Sequence, residues 1–177
     1  EILTTDHAYA ACRKAAAFVA RRSGARVVTV GVPFPLDSEE TLEARVLAGV
    51  TPRTKLALLD HVTSPTALVL PIERLVRALR ERGVETLVDG AHAPGTVALD
   101  LTAIGAGYYT GNAHKWLCAP KGAAFLHVRR DLQSGVHPLV ISHGYEEQEE
   151  GRRFREEFDW TGTCHPTAWL VLPACIR

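Results

Sequence analysis

The sequence predicts an α/β fold, a mostly parallel sheet flanked by helices on both faces. Two observations carry that expectation. Strand-like segments alternate with helix-like segments of 10 to 16 residues along the chain, which is the pattern of βαβ crossovers. The helix-like segments also carry start and stop signals, at Ser38 and Pro71 for the starts and at Gly24 and Gly83 for the ends.

Taken in order, residues 1–5 (EILTT) read as a short strand and 7–22 as an Ala-rich helix stopped by Gly24. Residues 26–33 (RVVTVGVP) are β-branched and strand-like, and 38–49 form a helix opened by Ser38. Residues 54–62 (TKLALLDHV) read as a buried strand, and 71–83 as an amphipathic helix from Pro71 to Gly83. Three more strands follow at 84–90, 106–112 and 122–130. In parallel sheets of this kind ligands bind beyond the carboxyl ends of the strands. That directs attention to His7, Thr63, Ser64, Asp89, His92 and the run Asn112 to Lys115.

Composition narrows the field. The 177 residues are enough for one sizeable domain, and 46% hydrophobic with 23% charged content is ordinary for a globular chain. Twenty basic and twenty acidic residues give zero net charge, so no electrostatic footprint for nucleic acid is expected. No stretch is apolar enough for a membrane span, and none reads as a signal peptide. Cys12, Cys118, Cys164 and Cys175 form no C-x-x-C pair, so no metal site is expected and the thiols read as those of a cytoplasmic protein. Residues 1–142 are expected to form one large domain, and 143–177 a connection leading into a helix of the same domain. Its first part, 143–160, is dense in both charges and reads as a solvated connection or arm. The chain opens inside an apparent strand without a Met and stops inside an apolar run, as an internal piece of a longer protein would.

Two motifs carry chemistry. In ETLVDGAHAPG (85–95) an apolar strand delivers Asp89 to its carboxyl end, followed by small residues that permit close approach. A carboxylate there serves either as a turn former or as a fixed negative charge facing a cationic ligand. His92 is placed to cap, pack or hydrogen-bond a ligand oxygen. In YYTGNAHKWLCAPKGAAFLHV (108–128) Lys115, one of only four lysines beside sixteen arginines, follows the next strand, 26 residues after Asp89. It is either an exposed loop lysine or a nucleophile for carbonyl carbons. Lys121, at the start of the following strand, reads as structural or solvated. An Asp and a Lys so placed suggest a pair in which the lysine forms a Schiff base with pyridoxal phosphate and the aspartate keeps the pyridine nitrogen protonated. GAGYYTG (105–111) has the wrong spacing for a dinucleotide fingerprint and precedes a strand, and Ser64 lacks a G-x-S-x-G context.

At these residues the sequence resembles the class V aminotransferase family of fold-type I pyridoxal-phosphate enzymes, within it most closely the isopenicillin N epimerase-like branch. The resemblance runs from TTDHAY to WTGTCHPTAW. It implies that the fold is the large cofactor-binding domain, with Lys115 as the Schiff-base lysine and Asp89 as the pyridine-nitrogen partner. It further implies that His92 contacts the ring hydroxyl, that His7 stacks on the ring, and that Asn112 and His114 contact the phosphate. Thr163 matches the residue that reaches the neighbouring subunit's phosphate, and Ser64 falls where desulfurases carry Asn. The main phosphate-binding turn is expected before residue 1, and the small C-terminal domain with the substrate-carboxylate arginine after residue 177. The implied enzyme is a homodimer acting at Cα or Cβ of an amino acid, by epimerisation, transamination or C–S lyase-like elimination. A non-catalytic homologue is the rival, and it is expected to lose Lys115 or Asp89.

Overall fold

The computed structural model describes residues 1–145 and 151–177. Six strands form one sheet: β1 (Ile2–Thr5), β2 (Val27–Val30), β3 (Leu56–Asp60), β4 (Glu85–Gly90), β5 (Tyr108–Asn112) and β6 (Ala124–Val128), in the spatial order β2-β1-β3-β4-β5-β6. All neighbours are parallel except β6, which runs antiparallel to β5. The short β5–β6 connection explains that exception, since a parallel return needs a crossover of a dozen or more residues. The α/β expectation therefore holds.

Each helix forms where local chemistry favours it. In α1 (Ala10–Ser23) a run of alanines sustains the helix, and Gly24 ends it in the left-handed conformation at φ 69°. α2 (Glu39–Ala48) begins at Ser38, whose side chain accepts from the Thr41 amide, with Glu39 and Glu40 in the first turn. α3 (Ile72–Arg80) turns Ile72, Leu75, Val76 and Leu79 inward at the spacing of one helical face. α4 (Leu101–Ile104) is a single turn that the apolar pattern did not announce. Asp100 caps it by accepting from the Thr102 and Ala103 amides, both at 2.9 Å, and Gly105 closes it at φ 63°.

Strand alternation sorts the two faces of the sheet. One face carries Leu3, Ala57, Leu59, Val88 and Tyr109, which join the buried residues of α2, α3 and α4 in one core. α3 touches α2, α4 and β4, so it is the centre of this layer. The opposite face carries Leu58, Asp60, Leu87, Asp89, Tyr108 and Thr110, by the same alternation. α1 belongs to that side, since its Cys12 bonds to Asp89.

The charged stretch after residue 142 departs from the expectation of a solvated connection. Residues 146–150 lie outside the described residues. Beyond them α5 (Arg153–Asp159) is a helix whose Glu157 is only 3% exposed. A buried carboxylate needs partners. Arg153 Nη1 donates to Glu157 Oε1 at 2.9 Å, and His137 Nδ1 meets Oε2 at 2.7 Å. Two short helices, α6 (Thr167–Leu170) and α7 (Leu172–Cys175), complete the described chain. Among the described residues, no helix is long and apolar enough to cross a membrane, and no group of side chains fits a metal ion.

Leu75 is fully buried at the centre of the helical layer. Leu75→Ala is expected to destabilise by about 2–5 kcal/mol. In urea melts this lowers the midpoint with the slope unchanged; an unchanged midpoint would contradict the packing described.

Candidate active site

Parallel register places one row of side chains across the carboxyl ends of three strands. Asp60 is opposite Asp89, and Asp89 is opposite Thr110. All three point to the same face. They form the floor of a cavity of about 400 Å³. Tyr9 and Cys12 of α1 line it from one side, and Val62 and Ser64 from the loop after β3. Ala91 and His92 follow β4, and Asn112, His114 and Lys115 follow β5. A larger cavity lies between β6 and α5, but it contains none of these groups.

The Lys115 turn is pinned by its backbone. Ala113 and His114 amides both donate to the Ala123 carbonyl, Ala119 donates to Ala113 O, and Cys118 donates to Lys115 O. The His114 ring also meets the Ala123 carbonyl, Nδ1 to O at 3.0 Å, so that nitrogen carries the proton. The small residues after Asp89 serve this turn. At Gly95, with φ 82°, a Cβ would sit 2.7 Å from the Trp116 carbonyl, so no larger residue lets the two loops meet.

Lys115 Nζ lies 3.1 Å from His92 Nε2, and the Trp116 indole donates to His92 Nδ1 at 3.1 Å. An indole N–H only donates, so Nδ1 must be the bare nitrogen and Nε2 must carry the imidazole proton. That N–H points at Nζ, so the imidazole orients the amine over the cavity. Burial, with the neighbouring Lys115 charge second, lowers the His92 pKa and keeps the imidazole neutral.

Asp89 is held by two donors. Oδ1 accepts from the Ala91 amide at 3.0 Å, and Oδ2 from the Cys12 thiol at 3.3 Å. Burial first, then the Asp89 charge, pushes the Cys12 thiol up to about 11. Asp60 has less support. Its Oδ2 accepts from the Tyr9 amide at 3.1 Å, while Oδ1 is buried without a hydrogen-bond partner. Beneath the row, on the core face, the Tyr109 hydroxyl and His61 Nδ1 are 2.7 Å apart, which fixes both rings.

The structure gathers most of the residues singled out from the sequence. Lys115, Asp89, His92, His114, Asn112 and Ser64 all line the one cavity. His7 does not. Its ring is engaged by Thr66 Oγ1 at 2.8 Å and by the Val32 carbonyl at 3.1 Å, and the aromatic ring of that segment in the lining is Tyr9. Thr163 is exposed between α5 and α6, outside the lining, and Lys121 is also exposed. Asp60, Cys12, Tyr9 and Thr110 were not foreseen. Asp60 did have a signal, since LLD ends its apolar strand as LVD ends the next.

Fold and site together define an α/β domain whose ligand cavity pairs a lysine with a carboxylate at the ends of parallel strands. The family profile "Aminotransferase class-V" matches residues 1–177, and the chain belongs to the class V aminotransferase family. It is 40% identical to isopenicillin N epimerase of Amycolatopsis lactamdurans, over 99% of this chain and 47% of that protein. It is 38% identical to the putative L-cysteine desulfhydrase 1 of Oryza sativa subsp. japonica, over 99% of this chain and 37% of that protein. Among solved structures, a C-DES mutant with glycine covalently linked to its PLP cofactor matches with a TM-score of 0.80 and 25% identity, over 99% of this chain and 48% of that one. The chain thus spans less than half the length of each of these relatives.

A thiol raised from 9.0 to about 11 holds about two orders of magnitude less thiolate at neutral pH. Iodoacetamide is therefore expected to label Cys12 about 100-fold more slowly than exposed Cys118, read by peptide mass. Asp89→Asn removes a charge that raises the thiol, so it should speed labelling of Cys12. Equal rates at the two cysteines in the unsubstituted protein would contradict this geometry.

Proposed function

We propose that this chain forms the chemical centre of a pyridoxal-phosphate-dependent enzyme acting at Cα or Cβ of an amino acid. The observation that carries the proposal is the placing of Lys115 and Asp89 on one cavity of about 400 Å³, with His92 on the lysine nitrogen. The donor set fits the cofactor. An amine faces an aldehyde, a carboxylate faces a ring cation, and the buried bare oxygen of Asp60 offers a second acceptor. When bound, the cofactor supplies an electron sink that withdraws charge from the substrate's reacting carbon.

The residues then divide the work. Lys115 would hold the cofactor and, once released, move the proton at Cα. Asp89 would keep a proton on the ring nitrogen, which an ionised carboxylate beside it favours. His92 would orient the ring hydroxyl, and Asn112 with His114 the phosphate. Ser64 stands at the mouth of the cavity, placed for a substrate or ring contact. Thr163, exposed and away from its own chain's cavity, would serve the neighbouring subunit of a cytoplasmic homodimer.

Epimerase- or aminotransferase-like chemistry is the first reading, on the likeness to isopenicillin N epimerase at 40% identity. A second reading, β-elimination at a C–S bond, has its own support in the L-cysteine desulfhydrase relatives at 38% and 37% identity. A persulfide-forming mechanism through Cys12 finds no support, because its thiol is held on Asp89 and pushed up to about 11. A non-catalytic scaffold would not need to keep both Lys115 and Asp89 on one cavity.

Incubating the full-length protein with pyridoxal phosphate, reducing with borohydride and mapping peptides by mass is expected to give a phosphopyridoxyl adduct on Lys115. An adduct only on Lys121 or Lys14, or none, would sink the catalytic reading. Lys115→Ala should lose the adduct, and loss of the base alone should lower turnover by about 10²–10⁴-fold.

A further inference from the structure

We propose that Asp60 is the proton-holding member of a carboxyl pair with Asp89: protonated in the ligand-free protein, it ionises when a pyridinium ring enters the cavity. This rests on the cofactor reading above and deepens it, because it gives the floor of the site a second recognition residue and couples binding to release of a proton.

The geometry carries the argument. Asp60 and Asp89 are register partners on adjacent parallel strands, about 4.8 Å apart in backbone spacing, with side chains on one face. Asp60 is 2% exposed. Its Oδ2 has the Tyr9 amide, its Oδ1 has no partner, and among the described residues no lysine or arginine forms a salt bridge with it. A buried carboxylate in that position is costly unless protonated or faced by a cation. Asp89 has a donor on each oxygen, one amide and one thiol, so the unpartnered oxygen of the pair belongs to Asp60.

The groups facing Asp60 are few. β4 presents Asp89, and the loop after it His92. α1 presents Cys12, Tyr9 just before it presents its amide, and the loop after β3 presents the Ser64 amide. The turn after β5 presents His114 and Lys115. His61, next to Asp60 on its own strand end, is turned away to Tyr109. Burial first, then the Asp89 charge, raises the Asp60 carboxyl to about 7, against the smaller opposing effects of the Tyr9 amide, Lys115 and the Ser64 amide.

The charge balance closes. In the ligand-free state one carboxylic acid and one carboxylate give a net charge of −1. With a pyridinium present, two carboxylates and one cation again give −1. The proton leaves the Asp60 O–H for solvent, and both carboxylates would then face the ring cation. The sign of the pH effect follows. The ligand-free pKa of about 7 lies above the bound one, so affinity rises with pH until about 7 and then levels off.

The test is calorimetry of pyridoxal phosphate binding to the full-length protein and to Asp60→Asn, in buffers of different ionisation heat. At about pH 6 the unsubstituted protein is expected to release about one more proton per site than the variant, and at about pH 8.5 the two should agree. Between those pH values its affinity should gain about tenfold more than the variant's. Equal proton counts at the lower pH would overturn the proposal. Should the variant not fold, infrared difference spectra of the unsubstituted protein decide. Binding must abolish a carboxylic-acid C=O band, and a retained band overturns the proposal. Failure of the unsubstituted protein to bind the cofactor at either pH overturns the cofactor reading itself.

Discussion

Two carboxyl groups stand side by side at the ends of neighbouring strands, and the rest of the site is arranged around that pairing. At a separation of about 5 Å, two ionised carboxylates in a protein interior repel by on the order of 3 kcal/mol. No compact fold keeps such a pair without a way to relieve it. Here the relief is shared among a backbone amide and a thiol on Asp89, another amide on Asp60, and the Lys115 amine across the cavity. The parallel register makes the pairing unavoidable. Sliding β3 by one residue against β4 would turn Asp60 into the core and Leu59 into the cavity.

The fold also explains how a lysine on a loop is held in place. Loops position groups well only when their backbone is tied down. The Lys115 turn is closed against β6 through the Ala123 carbonyl and packed against Gly95 of the preceding loop. Two loops that each follow a strand end therefore behave as one surface, and His92 and Lys115 meet across it. Membership of the class V aminotransferase family fits a site built in this way.

Much of this was legible in the sequence, for identifiable reasons. Strand ends were readable because β-branched runs stop at Asp, Asn and Gly, so Asp89, Asn112 and Lys115 were found at the right end of the sheet. Ser38 and Gly24 announced their helix ends by chemistry that acts within a few residues. What escaped depends on contacts between distant segments. Asp60 matters because of Asp89, 29 residues on, and Cys12 because α1 crosses the cavity face. His7 lies outside the cavity lining because its ring turns toward Thr66 and Val32, which no local pattern records. The one-turn α4 lacked an apolar stripe, and α5 hid among charges because its buried Glu157 takes its partners from both near and far in the chain.

Trp116 links the floor of the site to the outside. Its ring is 60% exposed, yet its N–H ends on the same imidazole that touches Lys115. Whatever captures the lysine nitrogen or displaces His92 must change the electronic surroundings of this indole. The molecule thus carries its own optical reporter, an indole placed to register occupancy of the cavity.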